Sequence, residues 1–432
     1  MSYNVIRRIP ALAAAAAMAF GLAVAACEAP GGSGEGEGFL LRDSAGVALA
    51  ENDLAALAGA EGGWVDGTSA WRVSEAPIVE IGVQDGPDEY QFASIVGVLR
   101  LPDGGIVVGD RSHPEGMIRF YDPEGGFVRR MGRAGDGPGE FRMLFGLWSY
   151  RGDSIAAWDL QASRLSVLDQ EGELGRTLSF VIPSDDPPAP PGLRAMEGGR
   201  VVGPFRDGTF LVQPGRLVSA GGEPVEYQRR YLRSSPEMEV VDTLGPFPRA
   251  GASPTVRFPD GRRAAPFAGG TVRLVRGDRI YTGSAERYEL QVYDAQGALE
   301  RVIRLHGRDL AITEPLKEAY RERWLAEAGG DPGAARQLES ALADFTFPET
   351  APAYLGALVQ VDSEDHLWVP QYPLAPDEGP PGWDVFDPEG GFLGTVAVPE
   401  GLQVQQVGRD FILGVWRDGM GVPYVRMYAL ER

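Results

Sequence analysis

With a single cysteine, Cys27, in 432 residues, the chain can form no intrachain disulfide, and its fold must be held by packing alone. Lysine is almost missing too: Lys317 is the only one, and arginine carries nearly all the positive charge. Basic residues are outnumbered 40 to 61 by acidic ones, a formal charge of −21, so the surface repels phosphate backbones and nucleic acid is excluded as a partner. Histidine occurs only at His113, His306 and His366, and the three positions are not equivalent in the repeat described below. A three-histidine zinc site is therefore not expected, and no metal or cofactor is predicted. There is no G-x-S-x-G elbow for a serine hydrolase. GRAGDGPGEF is rich in glycine but lacks the lysine and following helix of a phosphate loop.

Long apolar runs are confined to the start. MSYNVIRRIP carries two arginines and leads into ALAAAAAMAFGLAVAA, which is too short and too rich in alanine for a permanent membrane span. The run closes on Val24-Ala25-Ala26-Cys27, which resembles the lipobox of bacterial lipoproteins. That resemblance implies cleavage before Cys27 and lipidation of its thiol and new amine, making the membrane a partner through Cys27. Several acyl chains anchor a protein stably where one does not. EAPGGSGEGEG follows, too polar to pack, and reads as a tether.

Glycine and proline, 59 and 34 residues, supply the turns of a chain that repeats from about residue 70. LPDGGIVVGD, YRGDSIAAWD, FRDGTFLVQP, VRGDRIYTGS, DSEDHLWVPQ and VGRDFILGVW each join a turn to an apolar strand. The strands begin at Ile106, Ile155, Phe210, Ile280, Leu367 and Ile412, spaced by 49, 55, 70, 87 and 45 residues. Such spacing, about 40–45 residues plus insertions, belongs to four-stranded propeller blades. A second landmark, MIRFYDPEGG, RLSVLDQEGE, ELQVYDAQGA and WDVFDPEGG, places Asp122, Asp169, Asp294 and Asp387 at hairpins between third and fourth strands. Aspartate accepts backbone N–H bonds there and glycine supplies the positive φ. Blade three replaces the motif with YLRSSPEMEV.

PYVRMYALER reads as the third strand of blade six, with no residues left for a fourth. The missing strand is expected in APIVEIG, residues 76–82, because DGPDEY follows it much as DGPGEF follows the fourth strand of blade one. The predicted fold is all-β, a six-bladed β-propeller closed by strands from both ends of the chain. Its organisation is a signal over 1–26, a tether over 27–38, an extension over 39–69 and a propeller over 70–432. The extension is expected to hold a strand at 46–50 and a helix at 51–58, lying across the outside of the ring. Residues 313–345 show apolar side chains at helical spacing, including Leu316, Tyr320 and Trp324, and read as a helical hairpin between blades four and five.

Propeller geometry puts the tight repeated turns on one face, here called lower, and the long irregular connections with the helical hairpin on the other, here called upper. Long loops on a rigid scaffold are the usual place for binding. The second strands deliver Asp110, Arg111, Trp158, Asp159, Gln213, Tyr281, Trp368, Gln371, Trp416 and Arg417 toward that upper face. Aromatic, arginine and aspartate side chains around a channel mouth suit a glycan or peptide. The alternative is structural: tryptophans packed between blades and aspartates tying loop amides.

IVVGD…GMIRFYDPEGGFVRRMGRAGDGPGEF resembles an NHL-repeat blade, and the chain is similar to six-bladed propeller lipoproteins of bacterial envelopes. Those share a DSAG-type segment, here Asp43 to Gly46, and a W-x-x-x-x-x-P segment, here Trp71 to Pro77. The resemblance implies the fold and a lipid-anchored envelope location over 43–432, and little about activity. A lactonase of the gluconolactonase type would need Glu, Asn and Asp in its channel, but the only asparagine after residue 43 is Asn52, ahead of the propeller. The expected function is a non-catalytic binding or scaffolding module for a protein, peptide or glycan partner. The alternatives are a hydrolase or lyase with an acidic channel site, and a glycan or peptide sensor.

Overall fold

The computed structural model describes residues 35–36, 38–59, 71–180, 199–214, 219–220, 223–224, 231–247, 255–258, 261–264, 267, 270–326, 332–343, 345–374 and 382–432. The chain divides into units Met1–Gly32 and Ser33–Arg432, and the described residues all belong to the second. The signal segment, Cys27, most of the tether, the side chain of Trp324 and much of the upper-face loops lie outside the described residues.

Six sheets, each built on four antiparallel strands, form the ring. Their innermost strands are Ile95–Arg100, Leu144–Tyr150, Gly199–Pro204, Val272–Arg276, Gln360–Val361 and Gln403–Val407. The inner strand of blade six meets that of blade one, so the circle closes. Between neighbouring sheets lie separate apolar layers, such as Trp158, Leu165, Phe210 and Val212 between blades two and three. Blade six has three strands from the C-terminal end, Gln403–Val407, Phe411–Arg417 and Pro423–Glu431. Val79–Ile81 supplies the fourth, pairing antiparallel with Met427 to Val425. The strand expected from the shared exit motifs is the one that closes the ring.

The repeated aspartate turns behave as their chemistry predicts. Asp122 Oδ1 accepts from the backbone N–H groups of Glu124 (3.1 Å) and Gly126 (2.6 Å), and Asp387 Oδ1 from Glu389 (2.9 Å) and Gly391 (2.8 Å). In blade three the oxygen comes from Ser235 Oγ, which accepts from the N–H groups of Glu237 and Glu239. The turn is thus kept where its sequence departs.

The glycine of D-x-x-G does more than turn the chain. A Cβ on Gly125 would stand 3.2 Å from Ile81 and Val79 of blade six, and one on Gly172 would stand 2.7 Å from the ring of Phe120 of blade one. At Gly390 it would meet Ala50 Cβ at 2.8 Å and Ile303 Cγ1 at 2.9 Å, with φ at +89°. Each turn therefore seats against the preceding blade. We expect Gly390→Ala to cost about 2–4 kcal/mol, combining a left-handed backbone with overpacking. Gly46, at φ +84° with nothing within 4 Å of its Cβ position, should lose only about 1 kcal/mol as Gly46→Ala. Urea midpoints of the two variants check the difference.

The extension lies on the outer edge of blade four, with corrected boundaries. Its strands are Phe39–Ser44 and Val47–Asp53, and its helix is Leu54–Gly59, later than the helix expected at 51–58. Val47–Asp53 pairs in parallel with Leu299–His306, enlarging that sheet to seven strands. Asn52 holds the strand past the expected end. It is fully buried, donates to the carbonyls of Arg304 (3.0 Å) and Gly390 (2.9 Å), and accepts from Phe392 N–H (2.8 Å). A helix there would leave those groups unpaired. Beside it Glu51 accepts from Arg304 (2.8 Å) and contacts His306 Nε2 (2.7 Å). Burial would raise its carboxyl, yet the bonds from His306 and Arg304 outweigh this and hold it below the usual glutamate value.

Candidate functional site

Most of the side chains expected at the upper rim are occupied within the scaffold. Asp110, fully buried, accepts from the N–H groups of Ala93 (3.1 Å), Ser94 (3.0 Å) and Ser112 (2.9 Å). Asp159, also fully buried, accepts from those of Arg142 (2.7 Å), Met143 (3.1 Å), Gln161 (3.1 Å) and Ala162 (3.0 Å). Both tie the end of a second strand to the start of its own inner strand. Trp158 is buried between blades two and three, and its indole N–H has no acceptor among the described residues. Trp368 is buried between blades five and six and donates to Asp362 (3.1 Å). Tyr281 is buried in the layer between blades four and five. Gln213 is buried. Arg111 Nε donates to Ser94 Oγ (2.9 Å), and Arg417 donates to the carbonyl of Gly421 (3.0 Å). Trp416 is covered by the guanidinium of Arg426, 3.5 Å from its ring centre. The structure does not bring these residues together into one cleft.

Gln371 belongs instead to a cluster that sequence reasoning missed. Its centre is Asp384, fully buried near the start of the third strand of blade five, Gly382–Phe386. Arg308 Nη2 donates to both carboxylate oxygens at 2.8 Å. Tyr288 Oη donates to Oδ2 (2.7 Å), while Gln371 Nε2 and Thr395 Oγ1 donate to Oδ1 (2.8 Å each). Burial first, and then the adjacent carboxylate, push the Tyr288 phenol far above its ordinary range, so it remains a proton donor. Both oxygens of Asp384 thus accept more than one hydrogen bond, and the carboxyl group orients Arg308. A signal was present in the sequence: Asp384 is a lone acid inside the apolar run WDVF. The equivalent position, three residues before the turn aspartate, holds Arg119, Ser166 and Gln291 in blades one, two and four.

Arg308 stands at the stem of the helical insertion. Beyond it, Ile312 N–H donates to the carbonyl of Glu349 (3.0 Å) and Ala351 N–H to that of Leu310 (2.8 Å), joining the ends of the insertion. The helices are Glu314–Ala326 and Pro332–Ala343. The first rests on an aromatic seat in which Tyr320 and Phe267 lie 4.4 Å apart by ring centre, with Phe347 and Tyr372 beside them. Tyr372 Oη accepts from Phe267 N–H (3.1 Å), and Tyr320 Oη donates to the carbonyl of Pro373 (3.3 Å). Glu314 and Glu318 on the first helix face solvent.

The acidic channel that a hydrolase or lyase was expected to use has no carboxylates on the six innermost strands, none of which contains aspartate or glutamate. Nor do three His, Cys, Asp or Glu side chains gather anywhere among the described residues in a way that could hold a metal ion. His306 contacts Glu51, whereas His366 lies against Asp362 (3.1 Å) near the lower face.

No family model matches the chain, and no curated protein matches it. Among solved structures it is similar to a member of the DUF4221 family from Bacteroides vulgatus, at 12% identity and a TM-score of 0.49, covering 85% of this chain and 99% of that one. It is also similar to a gluconolactonase from Xanthomonas campestris, at 12% identity and a TM-score of 0.39, covering 83% and 100%. A virginiamycin B lyase from Staphylococcus aureus aligns at 8% identity with a TM-score of 0.40, covering 84% and 99%. At these levels the likeness says nothing of activity, and the six-bladed ring rests on the strand pairing itself.

Proposed function

We propose that the protein is a lipid-anchored module of the bacterial envelope, tethered through Cys27, whose NHL-like propeller binds or scaffolds a partner on the face bearing the helical insertion. The observation that carries this reading is the way the insertion is held. Its stem is paired, Arg308 at its base is fixed by a buried carboxylate, and its first helix rests on packed aromatic rings. Preorganising a surface reduces the ordering cost of binding, so a clamped helical pair suits recognition. The exposed sides of the helices are charged, which suits a polar partner surface.

Site-specific photo-crosslinking in intact envelopes tests this. A photoreactive residue at Glu318, on the first helix, should give a discrete adduct. The same residue at Glu171, in a lower-face turn, should not. Equal yields at both positions, or none at Glu318, would sink the reading. In parallel, Cys27→Ser should move the protein from the membrane to the soluble fraction, and a protein still wholly in the membrane fraction would remove the lipid anchor from the proposal.

A further inference from the structure

The innermost strands carry charge of one sign. In a chain with 61 acidic residues, these six strands contain Arg100, Arg200, Arg273 and Arg276 and no acidic residue. Strand direction sorts the four. Arg100 and Arg276 end their strands at the lower face, while Arg200 and Arg273 lie near the start of theirs, at the upper mouth of the channel.

The lower pair is accounted for by its surroundings. Arg100 lies 3.6 Å from Asp410 and over the Phe411 ring, and Arg276 is exposed to solvent. The upper pair differs. Neither Arg200 nor Arg273 has an ion pair or a side-chain hydrogen bond among the described residues, although the inner strands that carry them are in contact. Arg200 is laid over the Phe145 ring of blade two, 5.3 Å from its centre. Burial, and then repulsion from Arg273, hold its guanidinium below the ordinary arginine value. The neighbouring apolar cluster, which includes Phe145, also contains the unmatched indole N–H of Trp158. Two like charges held near each other repel, and a bound anion would relieve that repulsion. Arg200 is nevertheless open to solvent and Arg273 partly so.

We propose that the upper mouth of the channel binds a small molecule through a carboxylate or phosphate group held jointly by Arg200 and Arg273, with Phe145 supporting the Arg200 guanidinium. Planar guanidinium forks match the oxygen edges of both groups, and the flat ring beneath Arg200 limits its wandering. Neither arginine belongs to the helical insertion, and the proposal does not rest on the partner reading.

The test is calorimetric titration of the detergent-solubilised full chain with citrate and with inorganic phosphate, at low and at high salt. Saturable binding of at least one probe is expected, and which one binds distinguishes carboxylate from phosphate recognition. Arg200→Gln and Arg273→Gln should each weaken it about tenfold or more, as expected for loss of a charge-assisted contact. Arg276→Gln, at the other end of the channel, should leave it within about twofold. Without ligand, Arg200→Gln should melt no lower than the parent, because it relieves repulsion. The proposal is overturned if neither probe binds saturably or if all three variants weaken binding alike. It is equally overturned if Arg200→Gln lowers the ligand-free melting temperature, since Arg200 would then be a structural residue.

Discussion

Asp384→Ala should destabilise the protein by about 3 kcal/mol, at the low end for breaking a buried charge pair because Arg308 retains some exposure. The carboxylate accepts from Arg308, Tyr288, Gln371 and Thr395, so its removal leaves four polar side chains without their common partner. The loss comes mainly from those stranded donors. Two further variants separate this from simple cavity formation. Asp384→Asn keeps the volume but removes the charge and turns one acceptor oxygen into a donor facing other donors, so it should cost nearly as much. In the double variant Arg308→Met with Asp384→Leu, the unpaired charge disappears, and much of the loss should be recovered. Urea unfolding midpoints measure all three. Because Arg308 stands at the stem of the insertion, protease cleavage within 313–345 should also accelerate in Asp384→Ala. An Asp384→Ala protein as stable and as protease-resistant as the parent would mean that the cluster does not hold the stem.

The architecture was legible where one local motif reports a long-range contact. D-x-x-G marks a turn, and its glycine is needed because the previous blade approaches within van der Waals distance, as Ile81 does at Gly125 and Ala50 at Gly390. The motif therefore counts blades as well as bends. Ring closure was readable for a similar reason, since DGPDEY and DGPGEF both follow a fourth strand. Other features left no such mark. The pairing of Val47–Asp53 with Leu299–His306 is parallel and joins residues some 250 apart, so no turn announces it. At the rim, aspartate and tryptophan at strand ends fit a binding site and a structural role equally well in sequence. Burial separates the two, and it placed Asp110, Asp159, Trp158 and Trp368 inside. Asp384 and the Arg200–Arg273 pair need residues from different blades, which only the closed ring brings together.

Ring closure carries the other large expected effect. Ile81→Asp should destabilise the protein by more than about 4 kcal/mol, because an unpaired carboxylate would enter an apolar layer and the favourable burial of isoleucine would be lost. Ile81 is 1% exposed and packs with Val79, Val98, Ile106, Leu413 and Val425 between blades six and one. Its strand joins the start of the propeller to its end, beside a short pairing of Arg72–Val73 with Leu430 and Glu431, so weakening it exposes part of the edge of Pro423–Glu431. Ile78→Asp is the control: it lies one residue before the same strand but is 55% exposed, and a change within about 0.5 kcal/mol is expected. Arg432→Ala should weaken the same junction from the other side. Arg432 bonds the buried Asp362 at 2.5 Å and the carbonyl of Gly408 at 3.0 Å, and its guanidinium covers the ring of Trp71, 4.5 Å away. If closure is one cooperative unit, combining Ile81→Ala with Arg432→Ala should cost less than the sum of the separate losses, because the first opening already frees the second contact. Strict additivity would mean that the two ends are held independently, and that the ring can open at one latch while the other stays shut.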